Sequence, residues 1–351
     1  MLPRKEAAVV YTATAAAVRQ SAHQRIAEAA SGGGGGGDAA AAPSGAPAAA
    51  STTAAAAVAQ QDGAAAAGGG PSVPTVTAAA VAALRRAAGV YGYLAEQLLP
   101  ELGGGAAGGA GGDRPLELLP AAARCMQALC LAEAQALMAA AAAAKGMSAA
   151  TQRALHAGAV VLLRSAEEAA REAAAAAPPG LPLSDRLLRL LAASAAAHSA
   201  RAHHCMALER QKEMELGEAE ACCEECQRLL EGALRRVDRT DPASWAEGLK
   251  AQQTSASRLL AAVHKDRLGV TYQSLPKLTP DATANPAVRV APDPFRPAAV
   301  RPLAPTAEQA KSGCALICHT PCCRALWRAA SPAFVGPGAG EDPSGDSAWS
   351  R

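Results

Sequence analysis

The sequence predicts an all-α fold in which antiparallel helices form a solenoid like that of tetratricopeptide repeats. Hydrophobic residues make up 50% of the chain but aromatic residues only 3%, and alanine supplies most of the apolar content. Alanine has the highest helix propensity and a small side chain, so helices rich in it can pack closely. Segments with apolar residues at helical spacing also alternate with glycine, proline or capping residues, which separate one helix from the next.

The first half of the chain contains four predicted helices and one insertion. The helices cover residues 5–30, 77–99, 116–145 and 148–177. Gly146 stops the third helix, Ser148 is a good N-cap for the fourth, and two prolines follow it. Residues 31–74 consist mainly of Gly, Ala, Ser and Pro. Such a segment buries too little surface to offset its ordering entropy, so we expect a disordered insertion.

The second half contains three more predicted helices, covering residues 184–216, 218–237 and 242–265. The first two are expected to form a helical hairpin with a sharp turn at Gly217. Asp241-Pro242 is a cap followed by proline at the first helical position. Beyond Tyr272 the chain becomes Pro-rich and loses its periodicity. Residues 281–351 are therefore expected to form a largely unstructured tail that wraps the domain at most near its start.

The stretch from Leu131 to Leu163 is the centre of the predicted array. Antiparallel helices leave grooves, and a groove lined by exposed Leu and Met can accept the apolar face of a partner helix. Met138, Leu155 and Leu162 are candidates for such a lining. A leucine in a helix is more often part of the core, and the periodicity alone does not separate the two interpretations.

Histidines and cysteines on the predicted hairpin raise the question of a metal site. They are His198, His203, His204, Cys205, Cys222, Cys223 and Cys226. A structural zinc site usually shows two matching C-x-x-C pairs, which this segment does not have. Cysteine is also a common small apolar residue at helix contacts, so core packing is the favoured interpretation and no metal is expected.

A second cysteine cluster lies in the predicted tail, in CALICHTPCCRALW. Cys318, Cys322 and Cys323, with Cys314 nearby, are candidates for S-acylation, which would make the protein a membrane-associated adaptor with peripheral membrane contact. A chance cluster in disordered sequence is the favoured interpretation, because the acylation pattern is loose.

Composition and motifs argue against several functional classes. The net charge is only +2, which does not suggest nucleic-acid binding. No nucleophile elbow, H-E-x-x-H pair or phosphate loop is present, so neither an enzyme with a small-molecule substrate nor a cofactor is expected. The start has no secretory signal, and the cysteines therefore suggest reduced thiols of a cytoplasmic protein. Residues 136–144 are apolar but too short to span a bilayer, and Glu133 interrupts a longer run.

Five segments, in the same order, resemble motifs of the Bro-type (Alix/Brox-like) domain family of endosomal sorting proteins. LCLAEAQALM at Leu129–Met138 is similar to the family's L-x-L-A-x-A-Q-x-x-F signature. The other segments are AAVVYTATAAAVRQSA, AGVYGYLAEQLLP, HSARAHHCMALERQKEMELGEAEACCEECQRLLEGA and KDRLGVTYQSLPKL. The resemblance covers roughly Lys5 to Pro276 apart from the inserted tract.

The resemblance implies a non-enzymatic scaffold of endosomal, multivesicular-body sorting that binds the C-terminal amphipathic helix of an ESCRT-III Snf-type subunit. In the family this helix packs on an apolar patch, which falls here on Met138, Thr151 and Leu155. Thr151 departs from the family's aliphatic residue, so the patch is expected to be weaker. Leu155→Asp is expected to abolish binding of the partner helix without unfolding the domain.

The resemblance also implies a missing part. The family's domain begins with strands and helices that would precede Lys5. Residues 5–280 are therefore expected to be a Bro-type domain lacking its N-terminal part, in a truncated algal or plant member. Besides the sorting adaptor and the acylated adaptor, a non-functional fragment is the third alternative.

Overall fold

A computed structural model describes residues 4–31, 73–103, 115–177 and 182–297. In these ranges all regular structure is helical, which confirms the predicted fold class. The long helices are α1 (Arg4–Ser31), α2 (Val73–Tyr93), α3 (Pro120–Ala144), α4 (Ala149–Ala176), α5 (Asp185–Lys212), α6 (Leu216–Arg236) and α7 (Ala243–Asp266). Helix α2 continues through a π-helical turn at Leu94–Leu98 into a short helix, Leu99–Gly103. Short helical turns also precede α3 (Leu116–Leu118) and follow α7 (Arg267–Thr271).

The helix ends follow from local sequence. Helix α3 begins with Pro120, whose missing N–H is not needed at the first helical position. It ends before Gly146, which adopts a left-handed φ of 63°. Helix α4 is capped by Ser148, whose side chain accepts a hydrogen bond from the backbone N–H of Thr151. The predicted stop and cap between α3 and α4 are therefore confirmed.

Each long helix packs mainly on its neighbours in the chain, from α1 on α2 through to α6 on α7. Alanines make this close packing possible. On α1, Ala8, Ala15 and Ala22 recur every seven residues and are each fully buried. A seven-residue repeat keeps side chains on one side of a helix, so a line of methyl groups faces the next helix. The result is the expected antiparallel, solenoid-like array.

The turn between α5 and α6 differs from the prediction, which placed it at Gly217. Met214 makes the turn with a left-handed φ of 61°, and α6 has already begun at Leu216. Gly217 has a different role, because a Cβ there would lie 2.5 Å from the carbonyl oxygen of Ser274. Its backbone N–H also donates to the side chain of Gln273 at 3.0 Å. The glycine therefore seats the segment after α7 on α6.

Residues 282–297, which we call the strap, begin with a turn at 282–285 and then pack back across the helices in reverse order. Ala282 is fully buried in the α5–α6 core, and the Ala287 N–H donates to the Ala154 carbonyl on α4 at 2.8 Å. Near the end, Phe295 makes edge contacts with Tyr11 of α1 and Tyr93 of α2, with ring centroids 5.4 Å apart in both cases.

The strap extends beyond the expected domain boundary at residue 280, in the part of the tail where wrapping was expected. The compact unit that contains the helices runs from Met1 to Ala299, so the first part of the expected tail belongs to it. Hydrogen bonds to helix backbone and side chains hold this part, which is why its lack of periodicity was misleading. The rest of the expected tail and most of the expected insertion lie outside the described residues.

Among the described helices, α3 is the one with the length and composition needed to cross a membrane. Residues 136–144 alone are too short to span a bilayer, but the helix that qualifies extends back to Pro120. In its most apolar window, 67% is buried by the rest of the protein. This property is expected of the central helix in a helical array.

Candidate partner-binding face

The three residues of the predicted patch lie on α3 and α4 but differ in exposure. Met138 is partly buried against the core formed by α1, α2 and α3. Thr151, in the first turn of α4, is also partly exposed. Leu155 is only 6% exposed and packs with Ala139 and Ala142 of α3. Met138 and Thr151 are therefore partly exposed, and Leu155 is buried in the contact between α3 and α4.

The burial of Leu155 changes what a substitution there reports. A carboxylate placed between α3 and α4 would lack a charged partner and would be costly to bury. The expectation that Leu155→Asp leaves the domain folded is therefore replaced by loss of stability. Leu162, the other candidate from periodicity, is partly buried against the cores around α3 and does not stand out as exposed.

The loop between α3 and α4 fixes Thr151. The hydroxyl groups of Thr151 and Ser148 lie 2.8 Å apart, and the Thr151 N–H donates to the Ser148 hydroxyl at 3.3 Å. The Gln152 amide donates to the Met147 carbonyl at 2.7 Å, which closes the loop from the other side. The position of the Thr151 side chain is therefore set by the cap of α4.

The strap borders this face, and Gln135 holds it there. Gln135 is fully buried on α3. Its amide nitrogen donates to the carbonyl oxygens of Leu155 at 3.1 Å and of Ala287 at 2.7 Å. Its amide oxygen accepts the N–H of Arg289 at 3.0 Å. One side chain thus joins α3, α4 and the strap.

Gly158 gives the strap room to approach α4. A Cβ at this position would lie 2.5 Å from the Ala287 carbonyl oxygen and 3.0 Å from the Gln135 amide nitrogen. Gly158 follows Thr151 by seven residues and Ala154 by four, so all three lie on one side of α4. The strap therefore occupies the same side of α4 as the predicted patch, further along the helix.

Arg85 of α2 holds the far end of the strap. Its guanidinium donates to the Ala291 carbonyl oxygen at 2.8 Å and forms an ion pair with Asp293 at 2.6 Å. The Asp293 N–H in turn donates to the Arg85 carbonyl at 3.1 Å.

The roles of Gln135, Gly158 and Arg85 were not predicted from the sequence. The available signals were a glutamine within the apolar LCLAEAQALM segment and a glycine inside a well-formed helix.

The cysteines of the α5–α6 hairpin and two of its histidines, His198 and His203, are buried, while His204 is partly exposed. The described cysteines are all free and buried: Cys125, Cys130, Cys205, Cys222, Cys223 and Cys226. Burial raises the pKa of the Cys222, Cys223 and Cys226 thiols to about 12, so they stay protonated at neutral pH. The core-packing interpretation of these residues is confirmed.

Over the residues that the structure describes, no group of three or more His, Cys, Asp and Glu side chains could hold a metal ion. The candidate acylation sites Cys318, Cys322 and Cys323, and neighbouring Cys314, lie outside the described residues.

Comparison with known proteins agrees with the fold. Residues 50–313 match the family model of the BRO1-like domain. A crystal structure of ALIX in complex with the SIVmac239 PYKEVTEDL late domain is similar over 64% of this chain and 29% of that one, with 18% identity and a TM-score of 0.52. The ALIX BRO1–CHMP4C complex is similar over 63% of this chain and 56% of that one, with 18% identity and a TM-score of 0.51.

A third structure, described as the basis for endosomal targeting by the Bro1 domain, is similar over 61% of this chain and 55% of that one, with 14% identity and a TM-score of 0.50. The chain thus spans less than two thirds of each of these solved structures. No curated protein matches it by sequence. Because the family model covers most of the chain, the protein belongs to the BRO1-like domain family.

Proposed function

We propose that this protein is a non-enzymatic adaptor of endosomal sorting, acting in the cytoplasm at endosomes. Its partner would be the C-terminal amphipathic helix of an ESCRT-III Snf-type subunit, bound on the face formed by Met138, Thr151 and Leu155. Membership of the BRO1-like domain family supports the general role. A solved structure with the same fold is described as an ALIX BRO1–CHMP4C complex, which supports this class of partner.

The observation that carries the proposal is the partial exposure of Met138 on α3 and Thr151 on α4. Leu155 packs with Ala139 and Ala142 between α3 and α4, so a helix lying here would meet two helices that are already held together. The flexible thioether of Met138 can adapt to an apolar side chain of the partner. Thr151 adds a hydroxyl where an aliphatic side chain would bind better, so the affinity is expected to be moderate.

Fluorescence anisotropy with a labelled C-terminal helix of a Snf-type subunit tests the proposal. Met138→Asp places a charge against the apolar side of the peptide and is expected to weaken binding at least tenfold, or about 1.4 kcal/mol. Leu268→Asp is the control, because Leu268 is 48% exposed in the turn after α7, away from α3 and α4. Equal affinity of the Met138→Asp variant and the wild type would exclude this face as the binding site.

The proposal also predicts a gain of affinity. Thr151→Ile supplies apolar surface while keeping the backbone N–H that Ser148 caps. Burying one to two additional methylene-sized groups contributes about 1 kcal/mol, or roughly a fivefold lower Kd. A Thr151→Ile variant that binds the helix more weakly than the wild type would contradict a binding role for this position.

A further inference from the structure

A second recessed site lies between α1, α2 and α3 on one side and α5 and α7 on the other. Its walls are mostly apolar, and the leucines at positions 84, 129, 137, 163 and 190 contribute to them. A few polar side chains also line it: His23, Glu133, His198, Arg201 and Gln252. None of these polar groups belongs to the proposed binding face of Met138, Thr151 and Leu155.

The charges in this cleft do not balance. The Glu133 carboxylate is paired with Arg19, whose Nε lies 2.9 Å away, and with His23 at 3.1 Å. Arg201, which is partly exposed, has neither a carboxylate at ion-pair distance nor a hydrogen-bond partner in the part of the chain that the structure describes. Among the described residues, the cleft therefore contains a cation that has no counterion.

The histidines next to Arg201 do not supply the missing charge. His198 is buried, and its Nδ1 lies 3.0 Å from Nδ1 of His156, also buried. Burial, together with the nearby charge of Arg201, lowers the pKa of His198 to about 3 and the pKa of His156 well below its usual value. Both imidazoles are therefore neutral at pH 7 and can share one hydrogen bond.

Gln252 adds an unused acceptor. Its side-chain oxygen is buried and has no hydrogen-bond partner among the described residues. Leaving such a group without a partner costs about 1–3 kcal/mol, which an N–H group of a ligand could recover. The cleft thus offers a cation, a hydrogen-bond acceptor and apolar walls to one ligand.

We propose that this cleft binds an acidic peptide segment of a partner protein. A carboxylate would pair with Arg201 and a neighbouring peptide N–H would donate to Gln252. One unpaired cation matches the single charge of a carboxylate. A phosphate carries about −1.5 to −2 at neutral pH, and lipid-headgroup recognition usually requires a cluster of basic residues.

The test uses the full chain and two capped tripeptides, acetyl-Leu-Glu-Leu-amide and acetyl-Leu-Gln-Leu-amide, with inorganic phosphate as a third probe. Binding of a probe beside Arg201 is detected by changes in the imidazole NMR resonances of His198 and His156. The Glu peptide is expected to shift them saturably, with an affinity at least tenfold higher than that of the Gln peptide or phosphate. Arg201→Gln is expected to remove this preference. Arg239→Gln, at an exposed arginine outside the cleft, should preserve it.

Equal binding of the Glu and Gln peptides to the wild type would overturn the proposal, and so would tighter binding of phosphate. A persistent preference for the Glu peptide in the Arg201→Gln variant would overturn the role of this arginine. If Arg201→Gln does not fold, the comparison of the two peptides on the wild type still decides the question. Neither peptide experiment involves Met138 or Thr151, so failure here is distinct from failure of the proposed function.

Discussion

Gln135→Leu tests the side chain that joins α3, α4 and the strap. Leucine has nearly the same size, so the substitution removes hydrogen bonds with little change in packing volume. In the wild type the side chain is fully buried and makes three hydrogen bonds, two of which reach the strap at Ala287 and Arg289. The variant leaves the Ala287 carbonyl and the Arg289 N–H without these partners.

The expected loss of stability follows from those two groups. Each unsatisfied buried group costs about 1–3 kcal/mol. Arg289 is exposed, so water can replace part of the lost hydrogen bonding at the strap. The cost per group therefore lies at the lower end of that range. We therefore expect the free energy of unfolding to fall by about 2–3 kcal/mol, a large share of the 5–15 kcal/mol typical of a domain.

Urea unfolding measures the global effect of Gln135→Leu, and native-state hydrogen exchange measures the local one. The amides of Ala287 and Asp293, which donate to helix carbonyls, should exchange faster in the variant because the strap opens more often. Gln227→Leu, at an exposed Gln227–Ser257 hydrogen bond, is the control and should change stability little. A loss below about 0.5 kcal/mol with unchanged exchange at the strap would refute this reasoning.

Three further predictions concern close packing and charge. Gly158→Ala should lower the melting temperature although alanine has the better helix propensity, because the strap lies against the glycine. Gly232→Ala is the control, because a Cβ there has open space, and it should be neutral or stabilising in the same thermal melts. Burial alone would raise the pKa of Glu133, but Arg19 and His23 lower this pKa to about 2. The ionised Glu133 side chain therefore stabilises the fold fully above pH 4.5, and this stabilisation is lost as the pH falls toward 2. The difference in unfolding free energy between wild type and Glu133→Gln should therefore be about 2 kcal/mol smaller at pH 3 than at pH 7, measured by urea titration. With the four tail cysteines changed to serine, the buried thiols should react with a thiol reagent no faster than the protein opens, since burial raises the pKa of Cys222 to about 12.

The helices could be predicted from the sequence because their signals are local. Gly146 and Ser148 act through backbone conformation and a hydrogen bond three residues away, and both are found where expected. Gly217 shows the limit of the same reasoning. A glycine between two helices suggested a turn, but its role depends on Ser274, far along the chain. Met214 adopts the positive φ instead, and a methionine side chain gives no indication of such a backbone conformation.

The strap could not be predicted for a related reason. Its hydrogen bonds join Ala287 to Ala154 and Arg289 to Gln135, pairs separated by more than a hundred residues, and neither strap residue has a distinctive side-chain pattern. The exposure of the individual patch residues could not be predicted from the sequence either. Leu155 and Met138 have similar helical surroundings in sequence, but only Leu155 faces the contact between α3 and α4.

The central claim is that a partner helix binds beside the strap on the α3–α4 face. The most direct measurement is methyl NMR of methionine-labelled protein during titration with the C-terminal helix of a Snf-type subunit. The Met138 methyl resonance should shift, while that of Met206, buried in the α5–α6 core, should stay in place. A shift at Met206 with none at Met138, or no change at either methyl under saturating helix, would contradict the proposed site.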